Sequence, residues 1–344
     1  MRQLARRTPT LLLNLHSRSA GFFTVIVLVV SISIESRAQD SLALRFDTAA
    51  LVKSLPPLKL AKSQERNRLW LIGGVHAIGY GGSLILLNEA WYKGYPRTSF
   101  HVFNDDKEWL QMDKLGHAWT VYNVGKVSAA MWKWAGLPDK QAALVGVLGS
   151  TLYMTGIEFM DGHSAQWGWS WGDMAANLVG SGFFLAQKLA WSEEHVQFKF
   201  SFHGNRYGEP MLEQRANNLF GKTWYERMLK DYNAQTYWFS ANLQSIFRKS
   251  NLPPWLNIAF GYGADGMFGG FQNKWTDNLG NEIDRTDISR IRQFYLAPDI
   301  DFTRIRTNKR WVKGLLTLLN AFKCPAPALM LDGKGKLRGY WIYF

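Results

Sequence analysis

From Leu69 to Leu87 the chain runs 19 residues without a formal charge, interrupted by five glycines and His76. That length nearly spans a bilayer, which takes roughly 20 apolar residues. Gly79 and Ser83, four apart, permit close helix contact. A polar turn region from Lys93 to Asp106 follows. Asp113 to Trp134 then has an amphipathic helical pattern carrying Lys126 and Lys133. Pro138 and Asp139 open another helix at the expected first-turn position, running to about Phe159 and uncharged from Gln141 to Ile157. The segment from Trp169 to Asp173 introduces a last helix that ends near Trp191, with Ser170 as its N-cap. The pattern predicts four or more closely packed helices over residues 67–191.

After His195 the period changes from helical to alternating. Val196, Phe198, Phe200 and Phe202 share one face of a strand. Further strand signals occur at Gln235–Phe247, Trp255–Tyr262, Arg290–Arg304, Pro327–Leu331 and Leu337–Phe344, with a short amphipathic helix from Trp311 to Phe322. Tyr340, Ile342 and Phe344 are expected on one face of the closing strand. The fold class is therefore α+β: a helical bundle followed by a mostly antiparallel β region with long irregular connections. Six candidate strands fall short of the eight that a single-chain membrane barrel requires.

The N-terminus adds a destination. Arg2, Arg6, Arg7 and Arg18 precede an apolar run from Gly21 to Ser33, and Ser36 and Ala38 place small residues where a signal peptidase reads. The expected organisation is a signal peptide at 1–38, an extended segment at 39–66 containing Pro56 and Pro57, a helical core at 67–194 and a β-rich region at 195–344. No cysteine follows the apolar run, which argues against a lipid-bearing cysteine there; the one cysteine is Cys324. A lone cysteine also excludes an internal disulfide framework and a cysteine-based zinc site.

The formal charge of +13 is uneven, with residues 39–194 balanced and 195–344 at +9. A basic half can meet nucleic acid or anionic lipid. Export removes nucleic acid from consideration and leaves a membrane or anionic lipid surface as the expected partner. Aromatic residues at 15% suit a membrane interface. The expected location is the periplasm or the outer membrane.

Polar residues recur at matched spacings in the helical half. Asp113 and His117 are four apart on one helix face, beside Lys114. Glu158 and Asp161 end the following helix, and Ser170, Asp173 and Asn177 form one stripe on the last. These residues are the candidate network. In a catalytic reading, His117, oriented by Asp113, is a general base, with Glu158 or Asp173 as a second acid–base group. As metal ligands, Asp113, His117, Glu158 and Asp173 offer hard oxygens and one imidazole, compatible with zinc or manganese. The structural alternative is an interhelical network that satisfies buried polar groups and fixes register. The latter reading is preferred, with no metal and no cofactor expected.

The run from Phe103 through Asp113, Lys114 and His117, then Glu158, then Gly168 through Ser170, Asp173 and Asn177 to Gly180, resembles the YfiM-like family of exported proteins. The lysine–histidine start, central glutamate and serine–aspartate–asparagine ending also resemble the pattern of VanZ-like membrane proteins. The resemblance covers about residues 100–191 and implies an envelope setting; neither family supplies a reaction. The leading expectation is an exported, membrane-associated envelope protein with a structural or interaction-based, non-enzymatic role. The alternative is a membrane-surface hydrolase or transferase acting on a lipid or glycan through His117, Glu158 and Asp173.

The cleavage expectation is directly measurable. N-terminal sequencing of the exported protein is expected to begin at Gln39, and recovery of an intact residue 1 in the envelope would refute it.

Overall fold

A computed structural model describes residues 63–344, apart from Ser192 and Asn278. The expected signal peptide (1–38) and most of the segment expected to be extended (39–66) lie outside the described residues. The first helix, α1 (Ser63–Leu87), passes into a π-helical turn at Asn88–Tyr92. Three more helices build the bundle: α2 (Met112–Trp134), α3 (Asp139–Asp161) and α4 (Trp171–Trp191). Pro138 stands immediately before α3 with φ −56°, a dihedral that proline supplies without cost. Ser170 stands before α4, and its Oγ accepts from the Asp173 backbone N–H at 3.0 Å, satisfying one of the helix's free donors.

α2 is the central element. A Cβ on Gly146 of α3 would lie 2.6 Å from the Gly125 carbonyl oxygen of α2, and one on Gly180 of α4 would collide with the Ala118 carbonyl. Both neighbours therefore approach α2 backbone to backbone, and only glycine permits it. An adjoining face of α2 packs on the sheet. Tyr122 is fully buried against Phe183, Phe184 and Phe198, and Asn123 donates to the Phe198 carbonyl at 3.1 Å. Nearby, Lys126 pairs with Glu194 at 2.7 Å and donates to Gln197 at 2.6 Å. α1 leans on this layer through buried Ile72 and through His76, which stacks on Trp132 and bonds Ser128 at 2.7 Å. α1 and α3 are long and apolar enough to cross a membrane, by length and composition.

The strands of the C-terminal half are β1 (Val196–Phe202), β2 (Gln235–Asn242), β3 (Leu256–Asp265), β4 (Lys274–Thr276), β5 (Glu282–Asp284), β6 (Ile291–Ile300), β7 (Ala326–Asp332) and β8 (Leu337–Tyr343). Six of them form an antiparallel sheet of order β1-β2-β3-β6-β7-β8, and β4 and β5 make a hairpin inserted between β3 and β6. The free edge of β1 is covered by the main chain of residues 321–323, with Phe200 N–H donating to the Ala321 carbonyl and Lys323 N–H to the Phe200 carbonyl, both at 2.9 Å. Covering protects an edge from stray pairing.

The sheet curls strongly: the Tyr343 hydroxyl of β8 reaches Thr236 of β2 at 2.8 Å. Its concave face is polar as well as aromatic. Lys199 and Asp299 pair at 2.8 Å with no exposed side-chain surface, and Ser240 donates to Asp299 at 2.6 Å. Trp238, Tyr295 and Tyr343 fill the rest. On the convex face, α2 and α4 cover β1 and β2 through Phe198 and Phe239, while the outward side chains of β3, β6 and β7 remain exposed.

The α+β order and the six main strands follow the sequence pattern, with three differences. The connections expected to be irregular contain α5 (Pro210–Phe220) and α6 (Trp224–Lys230). The strand expected to run to Phe247 stops at Asn242, whose side chain accepts from the Ser245 backbone and starts the short helix α7 (Leu243–Ile246). The expected amphipathic helix is present as α8 (Arg310–Leu319). Lastly, Tyr340, Ile342 and Phe344 do not share one face. A register shift between Ala326 and Ala328 breaks the alternation, so Tyr340 and Tyr343 both meet the core while Trp341 and Ile342 are exposed.

The helix contact at Gly180 yields a stability test. Gly180→Ala is expected to destabilise the fold by about 1–3 kcal/mol through overpacking. The control is Gly182→Ala, at an exposed position where an added Cβ would meet nothing within 4 Å. That change is expected to be neutral or to gain up to about 1 kcal/mol of helix propensity. Chemical-denaturation midpoints of the two variants check the difference.

Candidate functional site

Trp109, Leu110 and Gln111 have φ of 46°, 52° and 66°. Three successive left-handed residues without a glycine are uncommon, and each costs free energy that neighbouring structure must offset. The sheet half supplies the restraint. Trp109 N–H donates to the Gly270 carbonyl at 2.8 Å, the Tyr262 hydroxyl donates to the Leu110 carbonyl at 2.6 Å, and Arg292 donates to Gln111 at 2.7 Å. This turn delivers the chain into α2, whose first two turns carry Asp113, Lys114 and His117.

Lys114 is the hub of the charges around it. Its Nζ lies 2.6 Å from Asp105, 2.8 Å from Asp173 and 3.6 Å from Asp113, and it donates to Ser170 Oγ at 3.5 Å. Ser170 donates to Asp105 at 2.5 Å, and its backbone N–H donates to Glu158 at 3.3 Å. Asp113 accepts from the Tyr232 hydroxyl at 2.6 Å. His117 stands between carboxylates on both sides. Its Nδ1 is 3.4 Å from Glu158 Oε1, and its Nε2 is 4.0 Å from Asp113 Oδ1 and 3.9 Å from Asp173 Oδ1. The Glu158 side chain is 1% exposed, while those of His117 and Asp113 retain 15% and 25%. The cluster is closed at Glu158 and reaches the surface at Asp113.

The electrostatics follow from crowding acids under cover. Burial pushes Glu158 up to about 8, with His117 opposing and Asp173 and Asp161 reinforcing. Burial also raises Asp173, helped by the charge of Asp113. Asp113 itself is lowered: burial opposes its charge, but His117 and Lys114 together outweigh that penalty. Burial works against the Lys114 ammonium too, and Asp113 and Asp173 more than reverse it. Such divergence of neighbouring acids marks sites of chemistry and also structural ion-pair networks.

Of the residues singled out by spacing, Asp113, Lys114, His117, Glu158, Ser170 and Asp173 converge. Asp161 lies to one side and accepts from the Tyr92 hydroxyl at 2.8 Å. Asn177 is fully buried one turn beyond Asp173, and among the described residues neither of its amide atoms has a hydrogen-bond partner. Sequence reasoning missed Asp105 and Tyr232. Asp105 sits beside exposed Asp106 in an acidic stretch with nothing to mark which of them is buried, and Tyr232 lies in a loop without periodicity. A cavity of about 380 Å³ lies between the ends of α1 and α3, lined by Tyr92, Tyr95, Arg97, Phe159 and His163 among others, and Tyr92 links it to Asp161.

Residues 101–187 match a family described as a predicted periplasmic lipoprotein (DUF2279). The matched stretch contains the whole of the cluster except Tyr232, and it fits an exported, periplasmic protein. No curated protein and no solved structure matches the chain.

The cluster predicts energetic coupling. Asp113→Ala, His117→Ala and Asp173→Ala, with their pairwise doubles, are expected to show interaction energies of about 0.5–3 kcal/mol in denaturation cycles. Removing one member of a buried charged pair is expected to cost about 3–5 kcal/mol. Small, additive losses throughout would mean that the three residues act separately.

Proposed function

We propose that this is an exported envelope protein akin to the YfiM-like proteins, attached to the outer membrane through its β-rich half and acting structurally or as an interaction partner there. The carrying observation is the inverted polarity of the sheet. Phe260, Leu296 and Leu329 are neighbours across three strands and are 52%, 46% and 53% exposed. Ile258, Phe294, Leu331 and Leu337 extend the same convex face, whereas the concave face buries the Lys199–Asp299 pair. A contiguous exposed apolar surface with charges inside suits a lipid neighbour better than water.

Charge complementarity favours an anionic bilayer. α8 exposes Trp311, Leu315 and Leu318, and Lys309, Arg310 and Lys313 accompany them. An amphipathic helix of this composition lies in the headgroup plane, where each basic residue contributes about 1 kcal/mol. In this reading the polar cluster between α2, α3 and α4 fixes helix register.

Vesicle flotation tests the attachment. The full chain is expected to float with anionic phospholipid vesicles and to be partly released by high salt. Leu296→Glu with Leu329→Glu should abolish the salt-resistant part, and reversing Lys309, Arg310 and Lys313 to glutamate should abolish the salt-sensitive part. Undiminished flotation of both variants would sink the proposal.

A further inference from the structure

We infer that Asp113, His117 and Asp173 bind one divalent metal ion of the zinc or manganese type, with Glu158 and Tyr232 orienting the ligands. This inference is independent of membrane attachment. The ligand atoms come from two helices held at backbone contact: Asp113 and His117 one turn apart on α2, and Asp173 in the first turn of α4. One donor atom from each lies within 4.8 Å of the other two, with Nε2 of His117 at 4.0 Å from Asp113 Oδ1 and 3.9 Å from Asp173 Oδ1. Metal bonds of about 2.0–2.2 Å let two ligands on one ion sit up to roughly 4 Å apart, so small side-chain rotations complete the set. Two carboxylates and one imidazole form a donor set for zinc or manganese.

The surroundings of His117 supply the second observation. Its other nitrogen, Nδ1, faces Glu158 Oε1 at 3.4 Å; that carboxylate is 1% exposed, and Oε1 has no hydrogen-bond partner among the described residues. His117 Nδ1 likewise lacks a hydrogen-bond partner among the described residues, so a small rotation closing the gap would let the carboxylate accept the Nδ1 proton, fixing the ring and its tautomer and leaving Nε2 free for the ion. The Tyr232 hydroxyl does the corresponding work for Asp113 at 2.6 Å. Charge points the same way. Asp105, Asp113, Glu158 and Asp173 place four carboxylates around one ammonium and one imidazole. Lys114 answers Asp105 at 2.6 Å and shares Asp173, so a divalent cation at the His117 side offsets the remaining negative charge.

The test uses the full chain, stripped with a chelator and titrated calorimetrically with Zn²⁺, Mn²⁺ or Mg²⁺ alone, with bound metal counted by elemental analysis. One equivalent of Zn²⁺ or Mn²⁺ is expected, with Mg²⁺ weaker. His117→Asn and Asp173→Asn should each abolish saturable uptake, and Glu158→Gln should weaken it by about 10–100-fold. Asp139→Asn, at a carboxylate paired with Lys133 on the surface, should leave uptake unchanged. The Co²⁺-loaded protein should show a visible absorption band that responds to Glu158→Gln. Absence of saturable uptake by the unmodified chain would overturn the inference whatever the variants do. So would one-equivalent uptake that survives in folded His117→Asn and Asp173→Asn.

Discussion

Everything in the helical half depends on two places where backbone touches backbone. Gly146 and Gly180 bring α3 and α4 onto α2 with no side chain between them. Helices packed at about 8–10 Å already interdigitate their side chains, and a glycine contact lets the axes approach the close end of that range. With the axes drawn together, Asp173 of α4 meets Lys114 of α2 directly, and Glu158 of α3 meets His117. The glycines thus set the geometry of the polar cluster without being part of it.

That geometry brings charge under cover at several joints, and each joint connects different layers. The Lys114 group ties α2 to α4 and to the segment before α2; Lys126 with Glu194 ties α2 to the start of β1; Lys199 with Asp299 ties β1 to β6 inside the curled sheet. Buried pairs are a poor source of net stability, because desolvation consumes most of the attraction. They are demanding about position, however, since a shift of one helical turn or one strand register leaves an uncompensated charge. Apolar contacts around Tyr122 and Phe198 hold the layers together, and the ionic joints allow one alignment of them.

The local parts of this arrangement were legible in the sequence. Hydrophobic period gave four helices and six strands, and Pro138 and Ser170 marked two helix starts. Spacing alone grouped Asp113 with His117 and Asp173 with Asn177, because i to i+4 neighbours share a helix face whatever lies around them. What escaped was decided by distant segments. Asp105 is functional-looking only because Lys114 and Ser170 come to it, and Tyr232 joins through a loop more than a hundred residues later. The left-handed turn at Trp109–Gln111 has no glycine or asparagine to announce it; Gly270, Tyr262 and Arg292 impose it from the sheet. The β8 alternation failed for the same kind of reason, as pairing with β7 introduced a shift that Leu337–Phe344 does not encode by itself.

The sheet leaves an apolar surface outward without closing into a pore. A closed barrel would pair β1 with β8, but residues 321–323 already occupy the β1 edge. Curling is completed instead by side chains, with Tyr343 reaching Thr236 and the aromatic rings of Trp238 and Tyr295 filling the concavity. The concave face is therefore filled by its own side chains, and its charges pair internally at Lys199 and Asp299. The convex face divides in two: α2 and α4 cover β1 and β2, and β3, β6, β7 and β8 keep their apolar side chains outward. The bundle thus covers one half of the convex face and leaves the other half apolar and exposed. In the reading proposed above, that exposed half is the part set against a bilayer, with the bundle and the ionic joints held on one side of the contact.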